Sequence, residues 1–513
     1  MITVMLLLLL FGCKEKEPAE IETATPEPSP IATEMPQVLA ETPAPQFGGE
    51  ISLSMRQPKT LNPLLNEDVT VDLILKLMFE PLTVTDDEMK PIANPRLVQS
   101  ITYSEDGMSA IFMIKENASW SDGRSVTAAD LEFSVNLLKA AEKNVIYKDC
   151  VKNISSVQTS GDMAAVIYFE ENSPTMPYMF GFPIIPRHYY LDEPDLAGEV
   201  NMNPIGNGFY KMAGYTPPRE MILTAASETR PYIDTIRVML SPDTATDERR
   251  FETGLCDVAP KNFKGSGKYK GARVVNSVFY PSNYFDLIGF NFENETFQSI
   301  ETRKALACLI PFDSIISGVY LNHAVKSITS VNPQSWFYEP ETAAYELDMQ
   351  SSAAIINSKT MNILVNSENE ERVKIAEILR NSLEKAGAIT KVESVMFEQF
   401  EERLDSGEFD IFIGGFELNE APDLAFLLHS DGNPFNYSDS EMDRLIGYTK
   451  TAIGETQFKQ AMSELQQYIS ETLPFIGVAI RMDALSVSKR IYGEFKPTGR
   501  NPFANINEWY VAE

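Results

Sequence analysis

Histidine and cysteine are scarce, three and four among 513 residues. Neither recurs at the short spacings by which Cys/His cages hold zinc, so a structural zinc protein is excluded. Positive charge is the second shortage. Lys and Arg number 43 against 73 Asp and Glu, a formal charge of −30, and a field of that sign repels phosphate polyanions instead of releasing their counterions. Nucleic acid is therefore not an expected partner. Catalytic motifs are the third. Neither H-E-x-x-H nor G-x-S-x-G occurs, so a helical zinc site and a nucleophile elbow both lack an anchor. The nearest approach to a phosphate-cradling loop, Gly265 to Lys268, has Asn262 in place of the first glycine and Tyr269 in place of the hydroxyl ligand, and reads as a surface loop. Ser486 to Lys489 satisfies S-x-x-K without the S-D-N or K-T-G that accompany it in serine acyl-enzymes. His188, His323 and His429 stand alone and read as structural, His429 being the one nearest a candidate site. Paired acids such as Asp86-Asp87 and Glu401-Glu402 read as solvated surface.

Apolar residues are plentiful, 43% of the chain with 29 Phe and 20 Tyr. That is enough to close several cores, and the length suggests about three domains at roughly 150 residues each. Met1 to Gly12 is an apolar run about half the ~20 residues that span a bilayer as a helix, and it resembles the apolar region of a signal peptide. Leu10-Phe11-Gly12-Cys13 resembles a bacterial lipobox, although Phe11 is bulkier than usual and no Lys or Arg precedes the run. The expectation is cleavage before Cys13, acylation of that cysteine, and a tether over 13–46, rich in Pro, Glu, Thr and Ala, with no apolar period to bury. Cys150, Cys256 and Cys308 remain: one disulfide in any of three pairings with a thiol left over, or three buried thiols.

From Phe47 onward strand-like and helical periods alternate, which argues for α/β layers. Residues 109–115 read as a strand after the Asp106-Gly107 turn, and Thr127 to Ala140 as a helix with Thr127 at its N-cap and Asp130 three residues on. Residues 361–366 read as a strand, Glu371 to Ala386 as a helix stopped by Gly387, Glu398 to Leu404 as a helix, and 409–415 as a short apolar strand. Strand, helix, strand with short connections implies parallel pairing. No 20–50-residue repeat suggests a solenoid or propeller.

Several blocks resemble, in family order, the family 5 extracellular solute-binding proteins of ABC transporters, the oligopeptide, dipeptide and nickel receptors among them. They are LNP at Leu61 to Pro63, FEPL at Phe79 to Leu82, the stretch from Ser104 to Val135 containing Trp120-Ser121-Asp122-Gly123 and Thr127 to Asp130, NPIGNGFYKM near 203–212, FETGLCDV at 251–258, IGFNFEN and ETRKALA within 288–307, and LPFIGV at 473–478. The resemblance implies an α/β, periplasmic-binding-protein-like two-lobed clamshell (type II, cluster C) with an extra subdomain inserted in lobe I. It sets lobe I at 47–283 with the subdomain at about 71–190, lobe II at 284–480, a return to lobe I over 481–513, and hinges near Tyr284 and Ile480. It implies a monomer held to the membrane through Cys13, feeding the transmembrane subunits of an ABC permease, with no cofactor, no metal and no catalytic residue. The W-S-D-G turn is a folding signature, its tryptophan capping a small core.

By resemblance, Glu67, Asp68 and Val69 lie on a strip that pairs with an extended peptide backbone, a mode that reads main chain more than side chains. Residues 414–423 form the facing strip. There Phe416 replaces the family's tryptophan and Asn419 takes the approximate place of an aspartate that pairs with the ligand's ammonium. An amide carries no net charge, so Glu417 or Asp423 supplies it, or the solute has no amine. Trp336, Asn433 and Tyr437 resemble cleft-rim positions. The expected activity is capture of peptides or peptide-like solutes by lobe closure. Alternatives are a surface hydrolase with a carboxylate pair in the cleft, which would turn over a glycan, and a surface receptor on the same fold that serves no permease.

Overall fold

A computed structural model describes residues 43–190, 198–226, 230–262, 275–418 and 421–512. The lipobox with Cys13, the 265–268 loop and Asn419 lie outside those residues.

Lobe I is built on a four-stranded sheet in the order Glu50–Arg56, Thr235–Ser241, Glu220–Ala225, Tyr210–Thr216. The first pair is parallel, with Ile51 opposite Ile236, and the others are antiparallel. Between its first strand and the rest, the chain builds a second, antiparallel sheet, Val98–Tyr103, Ser109–Ile114, Ala164–Phe169 and Ile154–Ser160. Along Ser109–Ile114 the residues Ala110, Phe112 and Ile114 point inward while Ile111 is exposed, the period of a half-buried strand.

The helix Ala128–Ala140 covers this sheet, and Asp130 ties its start to the preceding turn. Oδ2 of Asp130 accepts from the Thr127 amide at 2.8 Å, from the Thr127 hydroxyl at 3.0 Å and from the Trp120 indole N–H at 3.3 Å, while Oδ1 accepts from the Arg187 amide at 2.8 Å. The threonine hydroxyl thus donates to the acid. Trp120 and Asp130 are both buried, so the two motifs are halves of one structural knot, and His188 closes it from outside through Asp122 at 2.8 Å.

Lobe II is the α/β layer expected from the strand, helix, strand order. Thr360–Asn366 lies between Ile389–Val395 and Ile411–Glu417 and is parallel to both. The intervening helix Glu370–Lys385 packs on the sheet through Ile375, Leu379 and Leu383. Gly387 follows at φ +90°, where a residue with a Cβ is strained. Apolar layers cover both faces of this sheet.

Two long strands join the lobes. Val275–Phe290 and Phe475–Ser488 pair antiparallel along most of their length. At one end they pair with Val258–Asn262 of lobe I, at the other with Ile411–Glu417 of lobe II. The register jumps between them: Pro281 faces Met482, but Phe285 faces Ile480. The first strand therefore bulges by two residues, where hinges were expected. The chain end returns to lobe I, with the fully buried Trp509 among Phe495 and Phe503 and the strand Tyr510–Val511 paired to Ile491–Tyr492. Cys256 and Cys308 are free thiols, the first buried.

Asp130→Ala strips the acceptor from four donors in a buried site and is expected to lower stability by about 3 kcal/mol. Asp130→Asn, which keeps one acceptor oxygen, costs less. Urea unfolding with an unchanged m-value measures both.

Candidate ligand site between the lobes

The crossing strands hold an unusual concentration of charge. Asp286, just beyond the bulge, is fully buried. Its carboxylate accepts from Arg372 Nε at 2.9 Å, from Arg481 Nη2 at 2.8 Å and from the Tyr320 hydroxyl at 2.7 Å. Burial alone would raise this carboxyl; the two guanidinium groups and the phenol outweigh it and hold it below the ordinary range. Gly415 faces Asp286 across the ladder. A Cβ there would stand 2.3 Å from Arg372 Nη2 and 2.6 Å from Asp286 Oδ1, so this glycine makes room for the ion pairs.

Next to this neutralised cluster are two acids, Asp483 and Glu417, that make no ion pair among the described residues. Asp483 lies two residues from Arg481 on the same strand and makes no hydrogen bond or ion pair among the described residues. Desolvation raises its carboxyl; Arg481 opposes the rise and Glu417 adds to it, leaving the group at about 6. Glu417 is exposed and stands opposite Tyr284 in the ladder, where burial first and the Glu417 charge second push that half-exposed phenol up. These acids sit where the lobe I core ends, at Tyr280, and the lobe II cores begin, at Phe285 and Ile288.

Beside the bulge is a cavity of about 440 Å³, a size usual for small-molecule sites. Lobe I contributes Thr85 to Asp87, Met89, Phe495 to Arg500, Ala504 and Asn505, and lobe II contributes Gln334, Ser335 and Phe337. Asp86 and Asp87, expected to be plain solvated surface, are on its wall, as are Lys496 and Arg500. A smaller space of about 50 Å³ shares Met89, Asn283, Ser335 and Phe337 with it and is walled by Leu418 and Ala421 to Leu424. The 414–423 segment thus reaches a space between the lobes, held there by the Leu418 amide donating to Asn283 O at 2.8 Å. Farther from the bulge the lobes touch directly. The Trp336 amide donates to Glu88 O at 2.9 Å, its indole donates to the Tyr178 hydroxyl at 2.8 Å, and Lys90 pairs with Glu455 at 2.7 Å.

The other expected contacts have local employment. Asp68 caps the helix Val69–Leu75, accepting from the Thr70 and Val71 amides at 2.7 and 3.1 Å. Glu67 binds Lys59 and Asn144 of its own lobe, and Val69 is exposed. Among the described residues no hydrogen bond or ion pair joins 61–69 to 414–423. Phe416 packs edge-on against Phe426, and Asp423 caps the Ala425 amide at 2.9 Å. Asn433 is buried with its amide group fully engaged, donating to His429 O and Tyr437 O and accepting from the Phe435 and Tyr437 amides. Tyr437 is buried and donates to Asp439. Asn433 and Tyr437 therefore hold a loop in shape. His323 stacks on Phe279 at 3.7 Å, and the hydroxyl of buried Ser486 pairs with that of Ser277, so neither site invites catalysis. No group of three His, Cys, Asp or Glu among the described residues is placed to hold a metal ion.

Sequence reading missed Asp286, Arg372, Arg481 and Asp483. A signal was present: a lone Asp inside YFDLIGF and an Arg and Asp inside VAIRMDALSV are costly in strands this apolar unless they meet partners.

The family model for bacterial extracellular solute-binding proteins, family 5, matches residues 93–438. The chain belongs to that family. It is a solute-binding protein of ABC transporters and not an enzyme. The oligopeptide-binding protein AppA of Bacillus subtilis is 23% identical over 91% of this chain and 93% of its own. The dipeptide-binding protein of Escherichia coli K12 is 22% identical over 80% and 86%. Among solved structures, the substrate-binding protein CtaP of Listeria monocytogenes superposes with a TM-score of 0.78 at 19% identity, over 91% of this chain and all of that one. HbpA2 of Haemophilus parasuis gives 0.78 at 18%, over 91% and 100%. These likenesses fix the fold as the two-lobed clamshell.

The raised Asp483 carboxyl gives a pH prediction. Unfolded, it titrates near 3.9; folded, near 6. Between those values the folded chain binds the extra proton, so the group's contribution to stability falls as pH rises and is fully unfavourable above about 6. Asp483→Asn should be more stable than the parent by about 2 kcal/mol at pH 8, and the gap should close as pH falls toward 4, read from denaturant midpoints across that range.

Proposed function

We propose that this protein is the lipid-anchored, extracytoplasmic receptor of an ABC importer, that it captures short peptides or peptide-like amines between its lobes, and that it delivers them to a permease. The observation that carries the solute class is the interlobe cavity walled by acids and bases together, with Glu417 and Asp483, neither of them ion-paired among the described residues, beside it. A zwitterion complements such walls: its ammonium relieves the repulsion between the two carboxylates, and its carboxylate complements Lys496 and Arg500. Glu417 thus takes the charge that Asn419 cannot supply. The names of the Bacillus and Escherichia relatives support a peptide, and the lipobox resemblance at Cys13 supports the anchor. Capture works by swinging the lobes about the bulged crossing near Tyr284 and Ile480. Closure costs free energy that only contacts made in the closed form offset.

Calorimetric titration of tri-alanine, N-acetyl-tri-alanine and tri-alanine amide tests this. Free tri-alanine should bind at least about 10-fold more tightly than the acetylated form, the scale of one charge-assisted hydrogen bond. Glu417→Gln should remove that difference while leaving the acetylated form's affinity unchanged. Equal binding of free and acetylated peptide contradicts the ammonium assignment.

A further inference from the structure

The junction where the lobes touch holds a second chamber, open on one side to solvent, of about 270 Å³. Lobe I supplies Tyr103, Met176 and Tyr178, and lobe II supplies Trp336, Ile453 and Phe458. Tyr178 also borders the larger cavity, while the hairpin carrying Asp86 to Lys90 runs between the two spaces.

We propose that this chamber is a separate binding site for a small uncharged aromatic molecule bearing one hydrogen-bonding group, a phenol being the simplest case. Its walls are mostly rings and aliphatic chains, and their polar atoms are largely spoken for: the Trp336 indole donates to Tyr178, and the Tyr178 hydroxyl donates to Met89 O. The Tyr103 hydroxyl, on a ring that is 38% exposed, makes no hydrogen bond among the described residues, and the side chains of Asn172 and Glu105 make none either. A formal charge of either sign is disfavoured. Lys90 already sits over the Trp336 ring, 5.6 Å from its centroid, and repels a second cation from that face. Glu105 and Glu455 at the edge repel an anion. Because both lobes build the chamber, a guest in it touches both and favours the arrangement in which they meet.

Trp336 is a built-in reporter, since Trp120 and Trp509, the other two tryptophans, are fully buried. The probe is 4-methylphenol, titrated into the full folded chain by calorimetry and followed by tryptophan emission, with toluene, phenylacetate and benzyltrimethylammonium as comparators. Saturable binding of 4-methylphenol is expected, about 5- to 10-fold tighter than toluene, with neither ion competing. Tyr103→Phe should bring 4-methylphenol down to the toluene affinity. Ile453→Trp, which fills the chamber from the half-exposed end of a helix, should abolish both. Absence of saturable binding, an affinity unchanged in Tyr103→Phe, or equal binding of either ion overturns the proposal. Tyr103→Phe decides the matter alone if Ile453→Trp does not fold. The chamber uses neither Glu417 nor Asp483, so failure of tri-alanine to bind would defeat the peptide reading and leave this one standing.

Discussion

Everything about this clamshell depends on one buried carboxylate. Asp286 lies at the place where two strands leave one lobe and enter the other, and Arg481 reaches it from the second of those strands while Arg372 reaches it from the first turn of a lobe II helix. A lone charge there would be untenable, and removing one partner of such a pair typically costs about 3–5 kcal/mol. The cluster therefore pins the crossing strands to the lobe II sheet. The bulge between Pro281 and Phe285 lies on its lobe I side, outside those ion pairs.

That division of labour suits a protein that opens and shuts. Each lobe has its own apolar core, and the cores approach one another along the crossing strands and at Tyr178, which packs with the lobe II cluster around Phe337 and Phe458. Besides that packing, the direct lobe contacts among the described residues are a few hydrogen bonds and one solvent-facing ion pair, Lys90 with Glu455, an interaction worth little by itself. Contacts of that strength break and reform readily, so the balance between open and closed is left to the guest. The acid pair at Glu417 and Asp483 fits the same logic. On the proposed reading, a bound ammonium offsets the repulsion between these acids, which makes binding energy selective for the loaded state.

Much of the architecture was legible in the sequence wherever one period dominated. The lobe II strand and helix around 360–386 came within a residue of their observed ends, and their parallel pairing followed from the short connections. The strand expected at 409–415 begins two residues later, because Phe409 is buried without joining the ladder; hydrophobicity reports burial, and pairing is a separate matter. The 414–423 segment was legible only through family resemblance. The hinge cluster was not legible as a cluster, since Asp286 meets partners 86 and 195 positions away, and no local pattern encodes such a meeting. Asn433 and Tyr437 show the converse ambiguity: polar residues in a loop near a cleft are as readily used to shape that loop.

Small-angle X-ray scattering of the protein stripped of any bound solute by unfolding and refolding, then of the same sample saturated with a peptide that binds it, decides whether capture closes the lobes. The account predicts that the loaded sample scatters as this structure does and that the stripped one is measurably larger, with the two interconverting on addition and removal of solute. A solute that binds stoichiometrically while the scattering profile stays the same would contradict lobe closure as the means of capture.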